Sequence, residues 1–272
     1  MFYSLKKYHP FIEAGIKKSV AYRINFLLFR LGDIMGAVVT YFLWSAIFAS
    51  SSNNSIGGFT VQEMSIYVFL SFFSGIVTNT GSSVNIGQEV KDGSISMRLL
   101  KPVSFIATYL FEEIGSKMIQ IGMLSIPILG GLILFQLFHP MIVPLNGLNF
   151  LFFLISIFLA YLINFYFNVC FGFAAFVLQN LWGANVMKTS IVAFMSGTLI
   201  PLAFFPASIG NILQFFPFAS FIYTPVMIYL GKYSGDKLIQ VLLLQIFWWI
   251  VFYIFSKIIW SIVINKLNIQ GG

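Results

Sequence analysis

The sequence predicts an all-α, polytopic membrane protein with six transmembrane helices, an N-terminal amphipathic helix in the interface, and a re-entrant hairpin before the last span. Three observations carry this. Of the 272 residues 59% are hydrophobic, 33 are phenylalanine, and the mean hydropathy is +0.92. A soluble domain cannot hide that much apolar surface, because its outside must be largely polar, so lipid is the solvent that fits. Charged residues make up only 8% of the chain and gather between long apolar runs. The basic ones fall almost entirely on one side once those runs are counted as crossings.

Taken in order, residues 3–24 repeat Leu5, Tyr8, Ile12, Ile16 and Val20 at three- and four-residue spacing, with Lys6, Lys7, Lys17 and Lys18 off that line. Pro10 suits a first helical turn. A basic amphipathic helix of this kind lies along the headgroups and does not span. No short apolar core with a cleavage site follows, so no cleaved leader is expected. Spans are expected at 25–49, 61–83, 117–138, 148–178, 187–205 and 238–263, since a crossing takes about 20 residues. "SSSNNSIGG" makes a polar turn after the first span, and "HPMIVPLNG", with its two prolines, closes the third. The fourth is longer than a crossing needs and is expected to tilt or protrude.

Residues 189–231 carry no charge but are cut by Pro201, Pro206, Pro217 and Pro225. Two crossings there would put Lys257 and Lys266 outside. One crossing, followed by a re-entrant hairpin over 206–231, keeps them inside, and broken backbone is tolerated at membrane depth where protein or water covers it. The inner side then holds Lys6, Lys7, Lys17, Lys18, Arg23, Lys91, Arg98, Lys101, Lys117, Lys188, Lys257 and Lys266, against Lys232 and Lys237 outside. Both termini are expected in the cytoplasm. Trp260 suits the inner interface, where amphipathic rings sit at headgroup level.

Several function classes drop out. The formal charge of +7 is spread along span ends instead of forming an aromatic-laced patch, which argues against nucleic acid. His9 and His139 show no carboxylate or cysteine at ligand spacing, so no metal is expected. Cys170 leaves no internal disulfide and reads as a small buried hydrophobe. No G-x-S-x-G turn is present. Gly231-Lys232 has Val226 where a P-loop requires glycine and Tyr233 where it requires Ser or Thr, so no enzyme activity and no cofactor are expected in this chain.

The polar residues inside spans leave alternatives open. Arg30 and Asp33 share a helix face at three-residue spacing. They read as a structural ion pair, or as part of a proton path in an ion-coupled secondary transporter. Glu113 and Lys117 read as a solvated i,i+4 pair at the inner start of the third span. In "FLSFFSGIVTNTG", Phe72 and Phe73 precede Thr78, Asn79 and Thr80, whose polar groups suit a cavity better than lipid.

The stretch "IGQEVKDGSISMRLLKPVS", residues 86–104, stands apart, with Glu89, Lys91, Asp92, Arg98 and Lys101 in nineteen positions. It reads as a short helix stopped by Gly93 in the left-handed conformation, then a return to the membrane set by Pro102. Met97, Leu99 and Leu100 give it an apolar face. A plain connection could be four or five polar residues, about the ordinary loop length. Charge together with apolar anchors suits docking into a partner's groove, while a solvated loop carrying topology signals is the plainer reading.

The order of features resembles the permease subunit of a bacterial ABC transporter of the type-2, exporter-like group. "YRINFLLFRLGDIMGAVVTYFLWSAIF" (22–48) is similar to the first span of a bacterial subfamily, and "GGFTVQEMSIYVFLS" (57–71) to the start of its second. "VKDGSISMRLLKPVS" (90–104) resembles its cytoplasmic segment, and the terminal Gly271-Gly272 fits as well. The resemblance implies a bacterial cell-membrane location, two paired permeases, with a heterodimer favoured, and two copies of a separate ATPase that binds ATP and magnesium. It implies a coupling helix at Gln88, Glu89, Val90, Lys91, Asp92, Gly93, Ser94 and Arg98, with residues 3–24 as the connecting helix. It further implies alternating access, with Phe72, Asn79, Phe194 and Thr198 of the second and fifth spans contacting a drug, lipid or peptide.

Overall fold

The computed structural model describes residues 6–52, 55–125, 128, 130, 136, 146–178 and 180–266, with backbone alone for 23, 25–27, 29, 30, 124, 125, 265 and 266. Most of the expected loop carrying His139, ten residues of the third span, the Arg30 side chain and Gly271-Gly272 lie outside the described residues.

Helix α1 (His9–Ala21) opens with proline in its first turn. His9 has a carboxylate neighbour after all, Glu13, at 3.1 Å on the next turn. The long α2 (Arg23–Ser50) follows, then a two-residue hairpin, β1 (Ser55–Ile56) with β2 (Phe59–Thr60), whose Gly57 and Gly58 take φ of +57° and +79°. Helix α3 (Val61–Thr78) starts on a capping box: Glu63 N–H donates to the Thr60 hydroxyl, and Thr60 N–H donates to the Glu63 carboxylate at 2.9 Å. Two donors that a helix start leaves without partners are thereby satisfied.

The helix expected over 61–83 is interrupted near its end. Helix α3 stops at Thr78, Asn79 is extended with ψ of 143°, and α4 (Ser82–Lys91) begins beyond Gly81. The short α5 (Ile95–Leu99) and then α6 (Phe105–Gln120) complete the segment, and α6 passes into a π-helical turn, Ile121–Ser125. Helix α7 (Gly147–Gly172) is capped by Asn146, whose side chain accepts from Leu148 N–H at 3.0 Å, and it runs into a 3₁₀ turn, Phe173–Phe176. Helix α8 (Trp182–Met195) begins five residues before the expected fifth span at 187 and ends ten before 205. Residues 202–229 are short pieces: a 3₁₀ turn, Leu202–Phe204, then α9 (Ala207–Phe215), a second 3₁₀ turn, Pro217–Phe221, and α10 (Tyr223–Tyr229). The last helix, α11, spans Gly235–Lys266.

Among the described residues, four helical stretches are long and apolar enough to cross a membrane: Leu31–Ser50, Val61–Lys91, Gly147–Phe176 and Gly235–Ile264. The protein is an all-α polytopic membrane protein. Helix α8, at 14 residues, reaches roughly 21 Å and is shorter than the hydrocarbon of about 30 Å. Faces of α2 show what a lipid-facing helix shows, with Met35, Val39 and Phe42 all about two-thirds exposed.

Inside, two apolar clusters form. One gathers Phe59, Tyr67, Phe153, Phe221 and Tyr223; the other packs Ile86 and Ile95 of α4 and α5 against Phe105, Phe165, Val169 and Phe173. Trp260 stacks on Phe105 with centroids 4.0 Å apart. Helices in lipid gain little from burying apolar area against each other, so polar ties count. Gln245, fully buried on α11, accepts from the Ser156 hydroxyl of α7 at 2.9 Å and donates to Ser220 O at 3.2 Å.

Candidate functional site

The segment joining α3 to α6 is a braced apex. Its turn is built by Asp92, which accepts from Ser94 N–H at 3.0 Å and from the Ser94 hydroxyl at 2.6 Å, with Gly93 at φ of +77°. These two bonds from Ser94 hold the Asp92 carboxyl below its ordinary range. Gln88, Lys91, Asp92, Gly93 and Ser94 are exposed, and so are the apolar Met97 (67%) and Leu100 (80%).

Glu89 and Arg98 sit differently. Arg98 donates from Nε and Nη2 to the two Glu89 oxygens at 2.9 and 2.6 Å, from Nη2 to Glu112 at 3.0 Å, and from Nη1 to the Thr108 hydroxyl at 3.0 Å. Its guanidinium lies 3.9 Å over the Tyr109 ring, and Tyr109 donates to Glu89 at 2.6 Å. Burial lowers the Arg98 pKa, but the Glu89 bond and neighbouring negative groups hold it above its usual value. Both side chains thus spend their charge inside the chain, and Val90 packs into the second apolar cluster. Glu89 and Arg98, expected among the polar contacts to an ATPase, are instead bonded to each other and to α6, and the exposed side chains of the segment include Gln88, Lys91, Asp92, Ser94, Met97 and Leu100.

The brace anchors on α6, and α6 is locked to α1. At their crossing Gly15 meets Gly115, and a Cβ on either would lie 1.9 Å from Glu112 O or 2.1 Å from Ile12 O. Only glycine permits backbones this close. Ser116 donates to Gly15 O at 3.1 Å, Tyr8 stacks on Phe111 at 4.6 Å, and Ser104 N–H donates to the Tyr8 hydroxyl at 3.2 Å.

Beside the break at Asn79–Gly81 lies a cavity of about 670 Å³ among α1, α3, α4, α6, α7 and α8. Its wall is polar. Glu113 accepts from the Thr80 hydroxyl at 2.7 Å, the Ser82 hydroxyl at 2.8 Å and Gly81 N–H at 3.0 Å, capping α4 with a carboxylate where the helix dipole favours one. Lys117 is buried and donates to Ile76 O at 2.8 Å. Glu113 and Lys117 are therefore not a solvated pair, because each is turned inward onto the end of α3 or the start of α4. Lys188 of α8 donates to Ser83 Oγ at 2.7 Å, Asn168 Oδ1 at 2.6 Å and Asn185 Oδ1 at 2.8 Å.

Of the four residues expected at the cargo cavity, only Asn79 lines this one. Phe72 and Thr198 share a narrow crevice with Trp44 and Pro201, and Phe194 is half-exposed, edge-on to Phe205 at 5.3 Å. The four do not come together. Asp33 is half-buried on α2, and its expected pairing with Arg30 lies outside the described side chains. Sequence reasoning used Lys188 for topology alone and passed over Asn164 and Asn168. Two amides one turn apart in the very apolar α7 were the signal, since lipid would leave them unpaired. Among the described residues no three His, Cys, Asp or Glu side chains converge to hold a metal ion.

A family model described as ABC-2 family transporter protein matches residues 34–271. The chain belongs to the ABC-2 transporter family. No curated protein matches it in a sequence search. As an ABC-2 permease it is a multi-pass membrane subunit whose partner is an ABC ATPase. Such a subunit needs a surface for that partner and a space for cargo. In this ABC-2 chain the braced apex and the cavity are joined by α4, which lines the cavity with Ser82 and Ser83 and carries Lys91 at its other end.

Proposed function

We propose that this ABC-2 permease exports an amphipathic cargo by alternating access, driven through the α4–α5 apex by a separate ATPase on the cytoplasmic side. The observation that carries the reading is the bracing of the apex. Exposed Met97 and Leu100 follow the charged turn, and behind them Arg98 is bonded to Glu89 and Glu112. Two exposed apolar side chains beside exposed charges suit a groove with an apolar floor and a polar rim. A stiff mount is what a docking element needs if partner motion is to move the helix behind it. In this reading ATP binding closes the ATPase dimer, the apices of two paired permeases approach, and the cavity changes the side to which it opens. Heterodimeric pairing, two ATPase copies and a bacterial inner-membrane site belong to the same proposal.

The test is co-purification in mild detergent from the native membrane. The native chain is expected to bring down a soluble P-loop ATPase, and Met97→Asp with Leu100→Asp to lose it while the permease still elutes as a folded species. Recovery of no ATPase with the native chain would sink the reading. Because Glu89 and Arg98 are bonded to each other, exchanging their charges probes the brace and not the docking surface.

A further inference from the structure

We infer that the cavity at Lys188 recognises the acidic headgroup of an amphipathic cargo, a carboxylate or phosphate on an apolar body, with the Lys188 ammonium as the group that reads it. This rests on the transport reading above and specifies the cargo class for its cavity.

The charge balance of the wall comes first. Three lysines, Lys18, Lys117 and Lys188, line the cavity against Glu112 and Glu113. Both carboxylates are engaged: Glu113 by Thr80, Gly81 and Ser82, and Glu112 by Arg98 at 3.0 Å and Lys18 at 3.5 Å. Lys188 has neutral oxygens for partners, and among the described residues no carboxylate lies within 4.0 Å of it. Neutral acceptors hold the ammonium without cancelling its charge. In a medium of low dielectric that charge draws an anion strongly, and a charge-assisted bond is about twice as strong as a neutral one.

The site is also built. Asn168, only 6% exposed, turns its oxygen to Lys188 because its nitrogen donates to Asn164 O and Oδ1 at 2.9 and 2.7 Å. Asn164 in turn donates to Thr78 O at 2.9 Å, the last residue of α3. This relay across α3, α7 and α8 fixes the ammonium at one point on the wall without neutralising it.

The wall is graded in polarity. Asn185, Lys188, Thr189 and Val192 recur at one-turn spacing and all line the cavity, so this face of α8 runs from amide and ammonium to hydrocarbon, with Phe167 of α7 also on the wall. A headgroup at Lys188 leaves its apolar body beside Val192 and Phe167. An ammonium has three donors, and here all three are used, one of them on Ser83 of α4. An arriving anion takes bonds from that set and loosens the tie between α8 and the helix that carries the apex.

The test uses the permease–ATPase complex in phosphatidylcholine nanodiscs. Dodecanoate, dodecyl phosphate, monolaurin, dodecyltrimethylammonium and inorganic phosphate compete for a dansyl-labelled fatty acid, with ATP hydrolysis followed in parallel. The two acidic amphiphiles are expected to bind at least about tenfold tighter than the neutral and cationic ones and to stimulate hydrolysis. Lys188→Gln should erase that preference, Lys188→Arg should keep it, and inorganic phosphate should not compete. Equal binding of the neutral or cationic amphiphile overturns the inference, as does an unchanged preference in Lys188→Gln. Competition by inorganic phosphate as strong as by dodecyl phosphate overturns the amphipathic assignment. Should Lys188→Gln fail to assemble, Asn185→Asp sets a carboxylate against the lysine and must weaken the acidic probes, and no weakening overturns the inference. If no ATPase accompanies the permease, the transport reading fails on its own, and probe binding to the permease alone still decides the headgroup preference.

Discussion

Gly15 of α1 and Gly115 of α6 face each other at a crossing so close that neither position has room for a methyl group. Gly15→Val or Gly115→Val must push the two backbones apart, which also breaks the Ser116–Gly15 bond and the Tyr8–Phe111 stack. Overpacking that displaces backbone costs about 1–3 kcal/mol, and occasionally more. A clear fall in Tm and rapid amide exchange along α1 are expected, and an unchanged exchange pattern would mean that the crossing is not what holds α1.

Arg98→Lys should not be a mild change. One ammonium cannot make the fork onto both Glu89 oxygens while also reaching Glu112 and Thr108, and it loses the close guanidinium contact with the Tyr109 ring. Losing charged hydrogen bonds at a site this well shielded is expected to cost about 2 kcal/mol. The check is thermal denaturation in detergent together with ATP hydrolysis by the complex. Both should fall, since the brace and the proposed docking surface share one short segment.

Glu113 gathers three donors at the start of α4. Glu113→Gln offers one acceptor oxygen and brings an NH₂ group where donors already converge, so about 2 kcal/mol of stability should be lost. Amide exchange over 79–83 is the specific readout, because a merely global effect would speed exchange in α7 and α11 equally.

The chain has only three aspartates, Asp33, Asp92 and Asp236, so carboxyl ¹³C signals from aspartate-labelled protein can be assigned by substitution. Asp92 is expected to titrate below the ordinary aspartate range because of its two bonds from Ser94, and Ser94→Ala should return it upward. A lowered folded-state value means that its contribution to stability is present above the unfolded value and is lost as pH falls through the folded one. At this exposed turn the loss should appear as local loosening of residues 92–96 and leave the global Tm in place.

The long apolar helices at 31–50, 147–176 and 235–264 were legible because long apolar runs need no partner to declare themselves. The break in the second was not. Asn79, Thr80 and Gly81 read as polar cavity groups, while their role as a turn depends on Glu113, more than thirty residues away. The same limit governs Glu113 and Lys117: an i,i+4 pair looks identical in sequence whether its face meets water or protein. Glu89 and Arg98 were correctly singled out as unusual, but charge alone does not say whether a residue meets a partner or its own chain. Phe72, Phe194 and Thr198 were chosen from span positions, and helix rotation, which no motif in those stretches fixes, carried them to other faces.

The interruption between α3 and α4 bears on how motion travels. A continuous rod from apex to span would pass thrust straight along its axis, and the far half of α3 would slide. A jointed one cannot. With the joint at 79–81 pinned sideways by Glu113, a push on the apex becomes a swing of α4 about that pivot, and α6 moves with it. Under the transport mechanism proposed above, the chain would be geared like a bell crank, turning a vertical stroke beneath the membrane into a lateral opening beside the cavity.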